Sequence, residues 1–409
     1  MSIRSDADQI MKAALASALP DNAVKEALLK LPQSHGKKYV VAIGKAAWQM
    51  SKAASDYLGD EISDGVCITK YEHVLGEIPH IRCFEAGHPV LDDNSVAATK
   101  KALELVESLS ANDIVIFLIS GGGSALFEDP SISLSELQDI NKQLLACGAS
   151  ITEINTIRKR LSNVKGGKFA KKCEPATVFS IILSDIIGDP LDMIASGPAY
   201  PDSATAKNAI DIVKKYSLSL SDKVKELLEI ETPKELSNVT THITGSVKQL
   251  CRSAMAESEK LGYEPIFLTA ALDCEAREAG RFLSAVAREH AADGKSKAYI
   301  LGGETVVHIT GKGMGGRNQE LALAAAPGIS GLNNVCIFSV GSDGTDGPTD
   351  AAGGIVDGTT AEILKGKEIS IDVLLQNNDS YNGLKVCDGL IITGPTGTNV
   401  NDIAVLLIK

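Results

Sequence analysis

Seven short runs of apolar, largely β-branched residues punctuate the chain, each closed by a Gly, Ser or Lys turn. They are KYVVAIG (38–44), DGVCITK (64–70), DIVIFLIS (113–120), ATVFSIILS (176–184), VTTHITG (239–245), KAYILGG (297–303) and NVCIFSVG (334–341). Runs that are apolar throughout, rather than alternating, are what parallel strands covered on both faces look like. Segments of helical period lie between them, clearest over 246–261 and 274–290, both opened by polar residues suited to capping. Strand and helix alternate, so an α/β fold with doubly wound sheets is predicted.

At roughly 150 residues per domain, 409 residues make two large domains or three small ones. A break is expected where LSLSDKVKELLEIETPKELSNVT combines Ser, charge and Pro233, giving domains over 1–238 and 239–409, with the last segment free to return to the first. No internal repeat and no low-complexity tract appears. The formal net charge of −12 repels a phosphate backbone, so nucleic acid is not an expected partner. The eight cysteines are far apart and form no CxxC pair, which suggests buried thiols of a reducing compartment rather than a zinc site or a disulfide frame. Residues 1–19 read as an amphipathic helix, not a signal segment, and no apolar run reaches the ~18 residues of a membrane span. A cytoplasmic protein is therefore expected, and a homodimer on base rates alone.

Ligands of open α/β sheets bind at the carboxyl ends of strands, so strand-to-helix turns carry the chemistry. Lys45 follows Gly44 and opens a helix, where its charge opposes the macrodipole but suits an arriving anion; an exposed lysine reaching into solvent is the plain alternative. The GxxxxGK[ST] spacing of a Walker A loop is absent. Ser120, Gly121, Gly122, Gly123 and Ser124 follow the most apolar run, and three glycines allow an amide nest for a carboxylate or phosphate, or simply a tight turn. In LSDIIGDPLDMIASGP, Asp185 at the strand end suits Mg²⁺ or a hydroxyl, while Asp189 and Asp192 read as turn or capping residues.

In LGGETVVHITGKGMGGRNQE, Glu304 follows the strand, a second short strand is expected up to Ile309, and the loop delivers Arg317 to the start of a helix. Its planar fork suits phosphate or carboxylate oxygens, with Gly315 and Gly316 beside it. The GxGxxG at Gly311, Gly313 and Gly316 is a weak dinucleotide fingerprint, since it follows a strand pair near the chain's end without a ribose-binding acid after a next strand. Asp343, Asp346, Asp350 and Asp357 follow the next run; Asp343, nearest the strand end, is the candidate for metal or hydroxyl contact, and several of the others are turn formers. Thr396, Thr398 and Asn399 suit a phosphate or a hairpin turn. His88 is isolated, and a satisfied core or surface histidine is the simpler reading.

Together IGKAA, ISGGGSALF, LSDIIGD, SGP, GGET, GMGGRNQE and SDGTDGPTDAAGG, in this order from about residue 40 onward, resemble the class II glycerate 2-kinases, whose carboxyl-terminal half is the MOFRL domain. The resemblance implies a larger Rossmann-like α/β/α amino-terminal domain and a smaller carboxyl-terminal α/β domain with a mixed sheet, with the active site in the cleft. It implies transfer of the γ-phosphoryl of ATP to the 2-hydroxyl of D-glycerate with Mg²⁺ or another divalent cation. The family's essential Lys and Arg match Lys45 and Arg317, its acidic positions match Glu304 and Asp343, and Asp185 falls in its LSD turn. The expected roles are Lys45, Arg317, Asp185 and Asp343 in catalysis, and Glu304 and Asp343 on metal. Ser120 to Ser124, Gly315, Gly316 and Asn399 are expected on substrate or phosphate. Relatives labelled hydroxypyruvate reductases make an NAD(P)H-dependent reductase the alternative, beside a kinase of another small hydroxy acid.

Overall fold

Ile114–Ile119 is buried at every position, as a strand with helices on both faces must be, and it forms the centre of the first of two sheets. The computed structural model describes residues 2–183, 191–394, 396 and 398–409. The first sheet contains β1 (Lys38–Ile43), β2 (Ile62–Lys70), β3 (Ile81–Ala86), β4 (Ile114–Ile119), β5 (Thr177–Leu183) and β6 (Val239–Gly245), in the order β3-β2-β1-β4-β5-β6. The pairings β3–β2, β2–β1, β1–β4 and β4–β5 are all parallel. This is the Rossmann order, whose direction of winding reverses between β1 and β4. On one face Val40, Ala42, Ile116, Leu118 and Phe179 pack against Ala47, Met50 and Ala54 of the helix Ala47–Leu58. Elsewhere in this unit Phe117, Phe127 and Phe169 meet at ring separations of 4.7–6.0 Å. Each fully buried side chain of this kind contributes about 1.5–3 kcal/mol.

The second sheet contains β7 (Glu264–Leu272), β8 (Lys297–Gly303), β9 (Val335–Gly341), β10 (Gly353–Asp357), β11 (Leu390–Ile391) and β12 (Asp402–Ile408), in the order β11-β10-β9-β12-β8-β7. Only β7–β8 is parallel; β12 runs antiparallel between β8 and β9. The apolar runs 297–303 and 334–341 are thus strands, but not of a parallel sheet. Their continuous hydrophobicity comes from cover on both faces, one by residues such as Leu283, Leu321 and Leu323, the other by Ile10, Leu250 and Ala254.

Residues 23–183 and 191–244 form one compact unit, and residues 2–22 and the described part of 245–409 the other. This differs in two ways from a division into 1–238 and 239–409. Strand β6 joins the first sheet: Val178 N–H donates to Asn238 O (2.8 Å) and Thr244 Oγ1 to Ile182 O (3.3 Å). The first helix, Ile3–Ser17, belongs to the second unit, because its apolar face of Ala7, Ile10, Met11, Ala14 and Leu15 is buried with Leu250, Cys251, Phe338 and Val405. Asp6, buried on that helix, accepts from Tyr263 Oη (2.7 Å) and Lys409 Nζ (2.8 Å). The last segment, β12, stays within the second unit. Residues 304–309 form no second strand, only a bridge from Val306 to Glu275. Among the described residues no helix is long and apolar enough to cross a membrane, and all eight cysteines are free.

Candidate active site

In the parallel-sheet unit, the carboxyl ends of β1 and β4 flank the switch point, in register at Ile43 and Ile119. The two turns that follow are stitched together. Gly44 takes φ +115°, and a Cβ there would lie 2.3 Å from Ser120 Oγ and 2.4 Å from Ser120 O, so only glycine fits. Ser120 Oγ accepts from Ala46 N–H (3.1 Å) and donates to Ile43 O (3.3 Å), so its hydroxyl is spent on the turn. Lys45 is pinned through its backbone: its N–H donates to Gly121 O (2.8 Å), and its carbonyl lies 3.3 Å from Thr69 Oγ1 and 3.0 Å from His73 Nδ1. Lys45 is half-buried, and among the described residues no carboxylate lies within ion-pair distance of its ammonium.

The glycine trio makes room rather than three left-handed residues. Of the three, Gly122 alone has positive φ (87°), and a Cβ on it would lie 3.0 Å from His88 Nε2 and 3.1 Å from Lys45 Cγ. His88 therefore stands beside Lys45, a position its isolation in the sequence did not suggest. Burial, and then Lys45, Lys70 and His73, hold its pKa below the usual histidine value, so it is neutral near pH 7. Gly123 abuts Ala195, whose Cβ would be 2.7 Å from an added methyl. Ala195 and Ser196 both adopt left-handed φ (51° and 61°), a conformation costly for non-glycine residues that accumulates at functional loops. Ser124 Oγ lies 2.8 Å from Ser196 Oγ, which donates to Asn155 Oδ1 (3.0 Å), and Arg158 Nη2 donates to Ser124 O (2.8 Å). Ser124 is thus one end of a polar chain that includes Ser196, of the SGP motif, and Asn155, which the sequence reading did not single out. Asp192 accepts from Lys159 Nζ (3.3 Å) and Ser203 Oγ (2.8 Å). Asp185 and Asp189 lie outside the described residues.

In the mixed-sheet unit, Arg317 is the first residue of the helix Arg317–Ala325. Its Nε and Nη2 fork onto Asp402 Oδ2 and Oδ1 at 2.5 and 3.0 Å, and its Nη1 lies 3.1 Å from Glu304 Oε1. Asp402 opens β12 opposite Gly303 and Gly341, at the ends of β8 and β9. Burial pushes its carboxyl up in pKa, against the pull of Arg317. The helix N-terminus itself is already taken. Asp346 accepts from the N–H groups of Asn318 (3.2 Å) and Gln319 (2.9 Å), doing the capping that Gly316 cannot. A Cβ on Gly316 would lie 2.3 Å from that carboxylate, which explains the glycine. Burial, helped by Asp402, pushes Asp346 up to about 6 against its two amide bonds and Arg317.

The glycine-rich loop is likewise spent on packing. Thr310 and Gly311 N–H donate to Asn378 Oδ1 (2.8 and 2.9 Å), Lys312 N–H to Asn377 Oδ1 (3.1 Å), Gly313 N–H to Asn377 O (2.8 Å) and Met314 N–H to Asp379 Oδ1 (3.0 Å). A Cβ on Gly315 would meet Ser380 Oγ at 2.1 Å. Asp343 Oδ1 accepts from Thr345 N–H (2.9 Å), and it and Asp402 Oδ1 would each lie 3.4 Å from a Cβ on Gly341. Thr396 N–H donates to Asp343 O (3.2 Å), and half-buried Asn399 follows in the same loop. Among the described residues no three acidic, His or Cys side chains converge as a metal site.

A Rossmann-ordered sheet with a lysine at its switch point that has no carboxylate partner among the described residues, and a mixed sheet with an arginine forked between strand-end carboxylates, define a class of two-unit α/β proteins. Residues 6–229 match the family described as a domain of unknown function, DUF4147, and residues 297–402 match the MOFRL family. The D-glycerate 2-kinase of Thermotoga maritima is 51% identical, covering 100% of this chain and 99% of its own. The crystal structure of glycerate kinase from Thermotoga maritima superimposes with a TM-score of 0.96 at 51% identity, covering 100% of this chain and 99% of that one. A putative hydroxypyruvate reductase of Agrobacterium vitis is 37% identical, covering 91% of this chain and 100% of its own. The chain belongs to the class II glycerate kinase family and carries its MOFRL domain.

Proposed function

We propose that this chain transfers the γ-phosphoryl group of ATP to the 2-hydroxyl of D-glycerate, giving 2-phosphoglycerate and ADP. The observation that carries this reading is Lys45, a half-buried residue at the switch point of a Rossmann-ordered sheet whose cation has no carboxylate partner among the described residues. A cation held there by its backbone, in a family whose members include a D-glycerate 2-kinase, suits an anionic substrate or phosphoryl group.

The 2-hydroxyl oxygen forms a bond to the γ-phosphorus as the bond to the β,γ-bridging oxygen breaks and ADP leaves. The hydroxyl proton passes to a carboxylate, Asp185, when Asp343 holds the metal. Phosphoryl transfer asks for positioning and positive charge more than for covalent chemistry. Lys45 and Arg317 supply that charge, with Asp402 fixing the fork of Arg317. Ser124 and its polar neighbours Ser196 and Asn155, with Gly122 against Lys45, make the acceptor-binding face of the first unit. Mg²⁺ commonly rests on one or two protein carboxylates, with phosphate and water completing its shell. Asp343 fits that role, being half-buried and without a cation partner among the described residues, whereas Glu304 is ion-paired to Arg317. The ion, when bound, neutralises phosphate charge.

Purified protein with D-glycerate, ATP and Mg²⁺ is expected to release ADP and give the ³¹P resonance of 2-phosphoglycerate. Oxidation of NADH by hydroxypyruvate without ADP release would establish the reductase reading suggested by the Agrobacterium vitis relative and overturn the kinase.

A further inference from the structure

The mixed-sheet unit contains a cavity of about 600 Å³ that Arg317 borders and whose apolar wall the reaction so far leaves idle. We propose that it seats the nucleoside of the phosphoryl donor, an inference that rests on the kinase reading.

One wall is apolar and open: Val306, Val307 and Ile309 line it, with Pro348 also contributing, and Ile309 and Val306 are 82% and 52% exposed. Apolar surface left facing a concave site of this size is the usual mark of a small-molecule pocket. Its polar part consists of Arg317, the arginine assigned above to phosphate, with Thr305, Asn378 and the carboxylates of Glu304, Glu320 and Asp346. The cavity is built rather than incidental, because the 310–314 loop that borders it is clamped by five N–H bonds to residues 377–379. Those bonds also leave the amides of residues 310–314 unable to wrap a phosphate. The glycine-rich run is therefore a wall, and phosphate contact in this unit falls to the guanidinium.

Of the two substrates, only one matches such a space. Glycerate has three carbons bearing a carboxylate and two hydroxyls, with no apolar body to cover Ile309 or Val306. A nucleotide joins a broad, flat base to a polyphosphate, matching an apolar wall that continues to Arg317.

The test is the double variant Val306→Asn/Ile309→Asn, at two exposed positions whose change leaves the thermal midpoint in place. MgADP binding is measured by calorimetry without glycerate, and KM is measured for each substrate. The expected result is a Kd for MgADP and a KM for ATP each raised about tenfold, with the KM for D-glycerate within twofold. An unchanged Kd for MgADP overturns the assignment, as does a rise confined to the glycerate KM. The binding arm separates the two inferences: if glycerate is not phosphorylated at all, weakened MgADP binding in the variant still supports the pocket. Phosphorylation with an unchanged KM for ATP refutes the pocket and leaves the kinase reading standing.

Discussion

Arg317 and Asp402, 85 residues apart, form a two-pronged ion pair at 2.5 and 3.0 Å across the ends of β8, β9 and β12. The pair orients a guanidinium whose remaining nitrogen reaches Glu304. Bidentate geometry fixes both direction and distance, which a lysine cannot reproduce.

Asp402 is accordingly a positioning residue for Arg317. Asp402→Asn keeps the shape but loses the charge, and kcat is expected to fall about 10²-fold with KM for D-glycerate little changed. Asp402→Ala also leaves Arg317 without its buried partner and costs about 3 kcal/mol of stability, read by urea denaturation. A purely structural Asp402 would instead lower stability in both variants while leaving kcat of the folded protein intact.

Gly44 is expected to tolerate no side chain. Gly44→Ala forces a methyl to within 2.4 Å of the Ser120 carbonyl at a φ of +115°. The loss should be about 3 kcal/mol or more, whereas Gly148→Ala, with nothing within 4 Å, shows only the smaller penalty of its positive φ (72°). Equal losses in the two variants would contradict the close approach of the turns.

Asp346 makes stability depend on pH in a defined direction. Its carboxyl titrates near 6 in the fold against 3.8 ordinarily, so the folded protein holds the proton more tightly than the unfolded chain. The stability it contributes is complete below about pH 4 and is lost as pH rises through about 6, a change of roughly 3 kcal/mol. Asp346→Asn removes this dependence, so the variant should gain relative to wild type as pH goes from 4 to 6.5. A difference between the two that stays constant over that range would show that Asp346 is not the titrating group.

Much of this site could be read from the chain because its parts are local. A buried run followed by Gly44 and Lys45, or by Ser120 and the glycines, announces a strand end and a turn from neighbouring residues alone. What escaped depends on partners distant in sequence. Asp402 reads as the ordinary start of an apolar strand until β12 is inserted antiparallel between β8 and β9, a register that no periodicity encodes. Asp346 looks like one more turn former among Asp-Gly pairs, because its helix begins 29 residues earlier at Arg317. His88 becomes notable only because Gly122 lacks a Cβ. The first helix shows its apolar face plainly, but nothing local says that it packs on the sheet at the far end of the chain.

Asp343 is the proposed metal carboxylate and pairs with no cation among the described residues. Asp343→Asn should raise the Mg²⁺ concentration for half-maximal activity about tenfold with little change in thermal midpoint. An unaltered Mg²⁺ requirement would move the metal contact elsewhere.

The most direct measurement compares kcat/KM for phosphorylation of D-glycerate by the wild type and by Lys45→Ala, with the thermal midpoint as control for folding. Loss of a charge that acts on the transferred phosphoryl group or its acceptor predicts a fall of about 10² or more at an unchanged midpoint. A folded Lys45→Ala protein within threefold of wild type would contradict the assignment of the switch-point lysine to the reaction.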